Sequence, residues 1–184
     1  MSKDNLYALT NEINTEIIHD MQLIIEANSK AINDIVNGLV ADYCKQLDDY
    51  IKYINTIIQD QKQPVTPQEL DDFVIQLPIL LYFAGEAQEN LGIHEDIAKA
   101  KKMEKYNTVY NQVKGTIADK TAKSEISSQT EYLTHIIYQR AYKIVKAKME
   151  AAYELLSSCK KVISRRMTES ELANIDEGRF KNGR

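Results

Sequence analysis

Residues 143–166 read KIVKAKMEAAYELLSSCKKVISRR. Val145, Met149, Ala152, Leu156, Cys159 and Ile163 recur here at steps of three or four, the spacing that lines side chains along one face of an α-helix. The stretch holds no glycine or proline, and Ile137 and Ala141 extend the stripe upstream, so the pattern predicts one long helix over about residues 129–166. At 100° per residue, Arg140, Lys143, Lys161 and Arg165 fall opposite the stripe, together with Glu150 and Glu154. The helix therefore carries two basic patches, one toward each end.

The same period organises the rest of the chain. Leu6, Leu9, Ile13, Ile17, Met21 and Ile24, then Ile35, Leu39, Tyr43, Leu47, Tyr50, Ile54 and Ile57, form a stripe that is either one very long helix or a hairpin broken near Asn28-Ser29. A stripe this long needs a partner helix, from its own chain or from a neighbouring subunit. In QDQKQPVTPQEL (59–70), Pro64 ends the pattern, and Thr66-Pro67-Gln68-Glu69 has the form of a capping box with proline at the first helical position. A new helix starts there through Leu70, Phe73, Val74, Leu77, Leu80 and Leu81, with a kink or fresh start expected at Pro78. Ile79 to Ala84, the densest apolar cluster, is expected in the core. Gly92 is expected to close this helix, and a further stripe, Met103, Tyr106, Tyr110, Val113 and Ile117, falls in a third pattern from His94 to Ser124. Thr168 to Glu171 is expected to cap a final short turn before a frayed tail.

The fold class is all-α: an elongated helical bundle of long helices with a coiled-coil-like N-terminal arm. Six glycines, three prolines and no tryptophan among 184 residues agree with it. Three segments follow: an acidic helical arm or hairpin over 1–63, a helical core with basic helices over 64–167, and a short turn and tail over 168–184. Cys44 and Cys159 show no metal-site or disulfide spacing, which fits a reducing compartment. The N-terminus lacks a signal-peptide pattern and no apolar run approaches the ~20 residues of a spanning helix, so a cytoplasmic protein without membrane contact is expected.

Charge is unevenly spread. Through Asp96 there are 5 basic and 17 acidic residues, whereas from Ile97 onward there are 18 basic and 10 acidic. A dipolar chain of this kind points to a polyanion or an acidic partner, or to acidic and basic halves that neutralise each other. Between Ile97 and Arg166 the balance is +9, and six of the eleven tyrosines lie in that interval. Single-stranded nucleic acid is held by such a combination, with cations on phosphates and rings under bases. Tyr138 and Tyr142, flanking Arg140, are the candidate stacking rings, while Tyr106 and Tyr110 sit on an apolar stripe and suit a core.

Catalytic signatures are not found. There is no phosphate-cradling glycine loop, nucleophile elbow or HExxH helix, and the three histidines are scattered, so a non-enzymatic protein without cofactor is expected. Glu16-Ile17-Ile18-His19 has the Glu-x-x-His spacing of carboxylate-bridged metal bundles in one copy where those use two, so no metal site is expected.

The succession LDDFVIQLPILLYFAGE (70–86), AKAKKMEKYNTVYNQVKG (98–115) and KIVKAKMEAAYELLSSCKKVISRR resembles the layout of phage recombination mediators of the UvsY type. Those proteins also set an apolar, proline-containing segment before a Lys-rich, Tyr-containing helix that ends at glycine, followed by a long helix closing on a basic turn. The resemblance spans about residues 70–166. It implies single-stranded-DNA binding that helps a RecA-like recombinase displace a single-strand-binding protein, in a homo-oligomer within a host cytoplasm. Lys99, Lys101, Lys102, Lys105 and Tyr106 inherit the DNA-contact role; Lys160, Lys161, Arg165 and Arg166 match the basic closing segment, with subunit contact an equal alternative. Arg140 and Lys143 join the candidate set from their exposed positions. The acidic arm and the DEGRFKNGR tail depart from the family layout. The competing reading is a helical oligomeric adaptor or assembly protein of a phage or mobile element, acting through protein contacts.

Overall fold

The computed structural model describes residues 3–60 and 64–181, with side chains described for 19, 21–60 and 64–173. Four helices follow in order: α1 (Lys3–Gln59), α2 (Pro67–Gln112), α3 (Ile117–Ser127) and α4 (Gln129–Lys181). The described residues are all-α, and among them no helix is long and apolar enough to cross a membrane.

α2 and α4 run antiparallel as the central pair. Leu70, Leu77, Ala84, Leu91 and Ala98 recur every seven residues on α2 and are all buried, while Val145, Ala152 and Cys159 do the same on α4. This is the repeat that keeps a seam facing its partner along a left-handed pair. Two glycines of α2 face this partner: a Cβ on Gly85 would meet Met149 Cε at 3.7 Å, and one on Gly92 would meet the Tyr142 ring at 3.5 Å, both ordinary contact distances. α1 lies against the pair through Val36, Val40, Cys44, Leu47 and Ile54. An ion pair from Lys148 to Asp48 and a hydrogen bond from the Tyr50 hydroxyl to the Asp72 carbonyl, 3.2 Å, tie α1 to its two neighbours.

Several expectations change. The segment 3–59 is one helix, and Asn28-Ser29 does not break it. Its buried stripe is offset by one residue from the expected one over 35–44: Ile35 and Tyr43 are exposed, and Val36, Val40 and Cys44 are inside. α2 continues through both Pro78 and Gly92. Pro78 sits on an exposed face and removes one intrahelical hydrogen bond there, a cost that the seam on the other face of α2 offsets. Gly92 stays helical beside the Tyr142 ring, between Leu91 and Ala98, which the seam holds buried. The helix that begins at Pro67 ends instead at Gln112, before Gly115, whose φ of 146° is open to glycine and strained for other residues.

Of the cluster Ile79 to Ala84, only Leu81 and Ala84 are buried, whereas Ile79, Tyr82 and Phe83 face outward. Met103 and Ile117 are likewise exposed rather than part of a buried stripe. The run KSEISSQT turns on a single residue: Ser128 caps α3, its hydroxyl donating to the Ser124 carbonyl at 2.9 Å, and its own carbonyl accepts from Tyr132 N–H at 2.9 Å. Both serines are buried. α4 then runs past Thr168 to Lys181, so no separate short turn forms at 168–171.

The capping box at Thr66 is present as expected: the Thr66 hydroxyl accepts from Glu69 N–H at 3.2 Å, and the Glu69 carboxylate accepts from Thr66 N–H at 2.7 Å. A second one, Thr116 with Asp119, starts α3 with the same reciprocal pattern.

Truncating Leu77 to Ala is expected to destabilise the fold by about 2–5 kcal/mol, and Ile75 to Ala by no more than about 0.5 kcal/mol, as read by urea unfolding. Hydrogen bonds from Thr66 and Thr116 hold the Glu69 and Asp119 carboxyls below the usual carboxylate range. A depressed folded-state value stabilises above the unfolded value and is lost as pH falls through the folded one. The caps therefore contribute fully at neutral pH and fade in acid, and Glu69→Gln is expected to flatten the acid side of the melting-temperature profile.

Candidate nucleic-acid interface

The Lys-rich run of α2 lies where α4 begins, because the two helices are antiparallel and joined by α3. Lys99 and Lys101 are exposed and make no ion pair among the described residues. Lys102 is half-buried, its Nζ 4.2 Å from the centroid of the Tyr132 ring on α4, a cation–π contact. Lys105 Nζ stands 3.8 Å from Glu131 Oε1. Arg140 and Lys143 project from α4 as exposed cations further along the same half of the pair. Six of the sequence-predicted residues are thus grouped around one half of the α2–α4 pair.

The remaining four cations lie elsewhere. Lys160 and Lys161 are exposed on the distal half of α4, about 25 Å beyond Lys143 at 1.5 Å per residue. Arg165 is held by Glu169 at 2.8 Å, and this partner pushes its guanidinium pKa up through a hydrogen bond and charge attraction. Arg166 is half-buried and donates to the Val65 carbonyl at 3.0 Å, pinning α4 to the α1–α2 connection. In this closing segment Lys160 and Lys161 are the exposed cations that make no ion pair among the described residues, with Arg165 paired to Glu169.

The aromatic residues separate differently from their expected roles. Tyr106 stacks on Tyr110 of the same helix at 6.1 Å between ring centroids, and Lys120 Nζ of α3 stands 5.7 Å from the Tyr110 centroid, so Tyr110 takes part in the α2–α3 contact. Tyr138 packs against His94 at 5.1 Å, and Tyr142 covers Gly92. These two are half-buried and not open platforms. The exposed ring beside the basic group is Tyr132, 44% accessible. Sequence spacing could not single it out, since its link to Lys102 crosses between helices.

Beneath the basic group lies a polar layer. Gln139 Nε2 donates to Glu95 Oε1 at 3.2 Å, and His135 Nε2 stands 3.6 Å from the same oxygen. Glu131 Oε2 and His135 Nδ1 are buried and make no hydrogen bond among the described residues. Elsewhere, His19 is exposed and the side chain of Glu16 lies outside the described residues. No three metal-capable side chains converge among the described residues. Both cysteines are buried: burial pushes the Cys44 thiol up, the Asp48 carboxylate adds to this, and Lys148 works against it. Burial likewise raises the Cys159 thiol. A raised thiol is protonated at neutral pH and a poor nucleophile.

Comparison with known proteins finds no matching family model, no matching curated protein and no matching solved structure.

Exposure and burial divide the two cysteines and the lysines into testable groups. Iodoacetamide is expected to leave Cys44 and Cys159 unmodified in the folded protein and to label both in urea, read by intact mass.

Proposed function

We propose that this protein is a non-enzymatic single-stranded-DNA-binding recombination mediator that assists loading of a RecA-like recombinase against a single-strand-binding protein. The observation that carries the reading is the grouping of Lys99, Lys101, Lys102 and Lys105 with Arg140 and Lys143 on one half of the α2–α4 pair, beside the exposed Tyr132 ring. Cations at this density neutralise successive phosphates and release their counterions, and a ring held under a lysine offers a face for a base. The layout resemblance to UvsY-type mediators supplies the recombination context, the cytoplasmic setting and the homo-oligomer. Lys160 and Lys161 form a second, distal cationic point for a strand or a subunit.

A second reading, a helical adaptor or assembly protein, is favoured by a different observation. Ile75, Ile79, Tyr82, Phe83, Ile93 and Ile97 are exposed along α2, all roughly half accessible or more, and this is more apolar surface than a lone chain usually shows. The two readings combine where an oligomer carries DNA.

Fluorescence anisotropy of a labelled oligonucleotide, single-stranded beside duplex, over a salt series tests the mediator reading. Preferential single-strand binding is expected, with log K falling linearly with log salt at a slope of about −0.7 per phosphate contacted. Lys99→Ala and Lys101→Ala are each expected to reduce that slope by about one contact, and Tyr132→Ala to weaken binding by about 1–3 kcal/mol with the slope unchanged. Absent or salt-insensitive binding assigns the basic group to a protein partner.

A further inference from the structure

One face of α2 is apolar and uncovered. Ile75, Ile79, Tyr82, Phe83, Ile93 and Ile97 are between 47% and 65% accessible. At 100° per residue they fall within an arc of about 100° on the side of α2 opposite Leu77, Ala84 and Leu91, so the packing that buries the seam turns them outward. A contiguous apolar surface of this extent marks a contact face.

The order of residues along this face is a mirror about Glu86. Ile75 stands eleven residues before it and Ile97 eleven after, Ile79 and Ile93 seven before and seven after, and Tyr82 and Asn90 four before and four after. Two identical helices that meet antiparallel across a twofold axis need this order, because residue i of one copy then lies level with residue j of the other, and j with i. With the axis at Glu86, the isoleucines at each end of one face come level with isoleucines of the other. A partner of different sequence would require no such mirror. A pair that covers all six side chains on both copies removes on the order of 1,000 Å² from water, the size at which specific contacts begin.

Charge narrows the choice of occupant further. Glu86, Glu89 and Asp96 are exposed on or beside the face, and their carboxylates oppose a phosphate-bearing partner, whether nucleic acid or anionic lipid. In the antiparallel pair Glu86 meets its own counterpart at the axis. A groove of about 590 Å³ between α1 and α2 opens there, and Lys45 lines it together with Glu86 and Asn90, so each copy supplies a cation near the two carboxylates.

We infer that the outward face of α2 is a twofold interface, in which two copies of this chain pair antiparallel about Glu86. The inference names the contact of the assembly reading and rests on that reading, not on DNA binding.

Sedimentation velocity and site-directed cross-linking of the full chain test it. Wild type is expected to be a dimer at micromolar concentration. Ile79→Lys/Ile93→Lys, two exposed positions whose change leaves the helical circular dichroism intact, is expected to weaken the dimer at least about a hundredfold by placing four lysines in the contact. Geometry is read with a short bismaleimide, to which the buried Cys44 and Cys159 are closed. Glu86→Cys is expected to couple to itself, and an equimolar mixture of Ile79→Cys and Ile93→Cys to couple to each other. Ile79→Cys alone is expected to stay uncoupled, since its two copies stand about 21 Å apart along the axis at 1.5 Å per residue. A dimer in which Ile79→Cys couples to itself has parallel helices and overturns the inference, as does one in which Glu86→Cys stays uncoupled or the double lysine variant dimerises unchanged; each of these leaves the assembly reading standing. A monomeric wild type overturns both, whether the face then takes a basic helix or a lipid vesicle in place of a second copy. Failure of DNA binding in the anisotropy experiment would leave all of these results unaffected.

Discussion

The seam between α2 and α4 is the constraint on which the rest of the molecule depends. Leu70, Leu77, Ala84, Leu91 and Ala98 fill one side of it at strict sevens, and Val145, Ala152 and Cys159 fill the other. Because this seam is continuous, α2 tolerates a proline and a glycine that would end an isolated helix, and two long helices hold a fixed antiparallel register. That register brings Lys102 over Tyr132 and Lys105 beside Glu131, contacts between residues far apart in sequence. The basic group is thus a product of helix pairing as much as of composition.

Periodicity made the helical class and the buried face of α4 readable from the sequence, since Ala141, Val145, Met149, Ala152, Leu156 and Cys159 are all inside. Capping chemistry made the start of α2 readable at Thr66. The limits have physical causes. Local propensity overstated Pro78 and Gly92, because a tertiary seam outweighs a cost of about 1–3 kcal/mol per residue. Hydrophobicity alone misplaced Ile35, Tyr43, Ile79, Tyr82 and Phe83, because an amphipathic helix with two apolar faces does not announce which one meets its neighbour. The Thr116–Asp119 box was within reach of the same capping logic that identified Thr66, with Asp in place of Glu as the signal.

For the basic residues, sequence supplied the charges and the pairing of helices sorted them. Arg166 is committed to the Val65 carbonyl and Arg165 to Glu169, while Lys99, Lys101, Arg140 and Lys143 remain exposed. Tyr138 and Tyr142 are taken up by packing and Tyr106 stacks on Tyr110, which leaves Tyr132 as the exposed ring beside the lysines. The Arg165–Glu169 pair follows from i,i+4 spacing along α4, whereas the contacts of Arg166, Tyr138, Tyr142 and Tyr132 cross between elements and do not.

Lysine footprinting tests the central assignment most directly. The protein is acetylated briefly at low salt with and without an unlabelled poly(dT) strand, and the modified residues are quantified by mass spectrometry. The account predicts that Lys99 and Lys101 lose reactivity when the strand is present, while Lys45 and Lys52 on α1 keep theirs. Equal reactivity at Lys99 and Lys101 with and without the strand, or protection confined to Lys160 and Lys161, would contradict it.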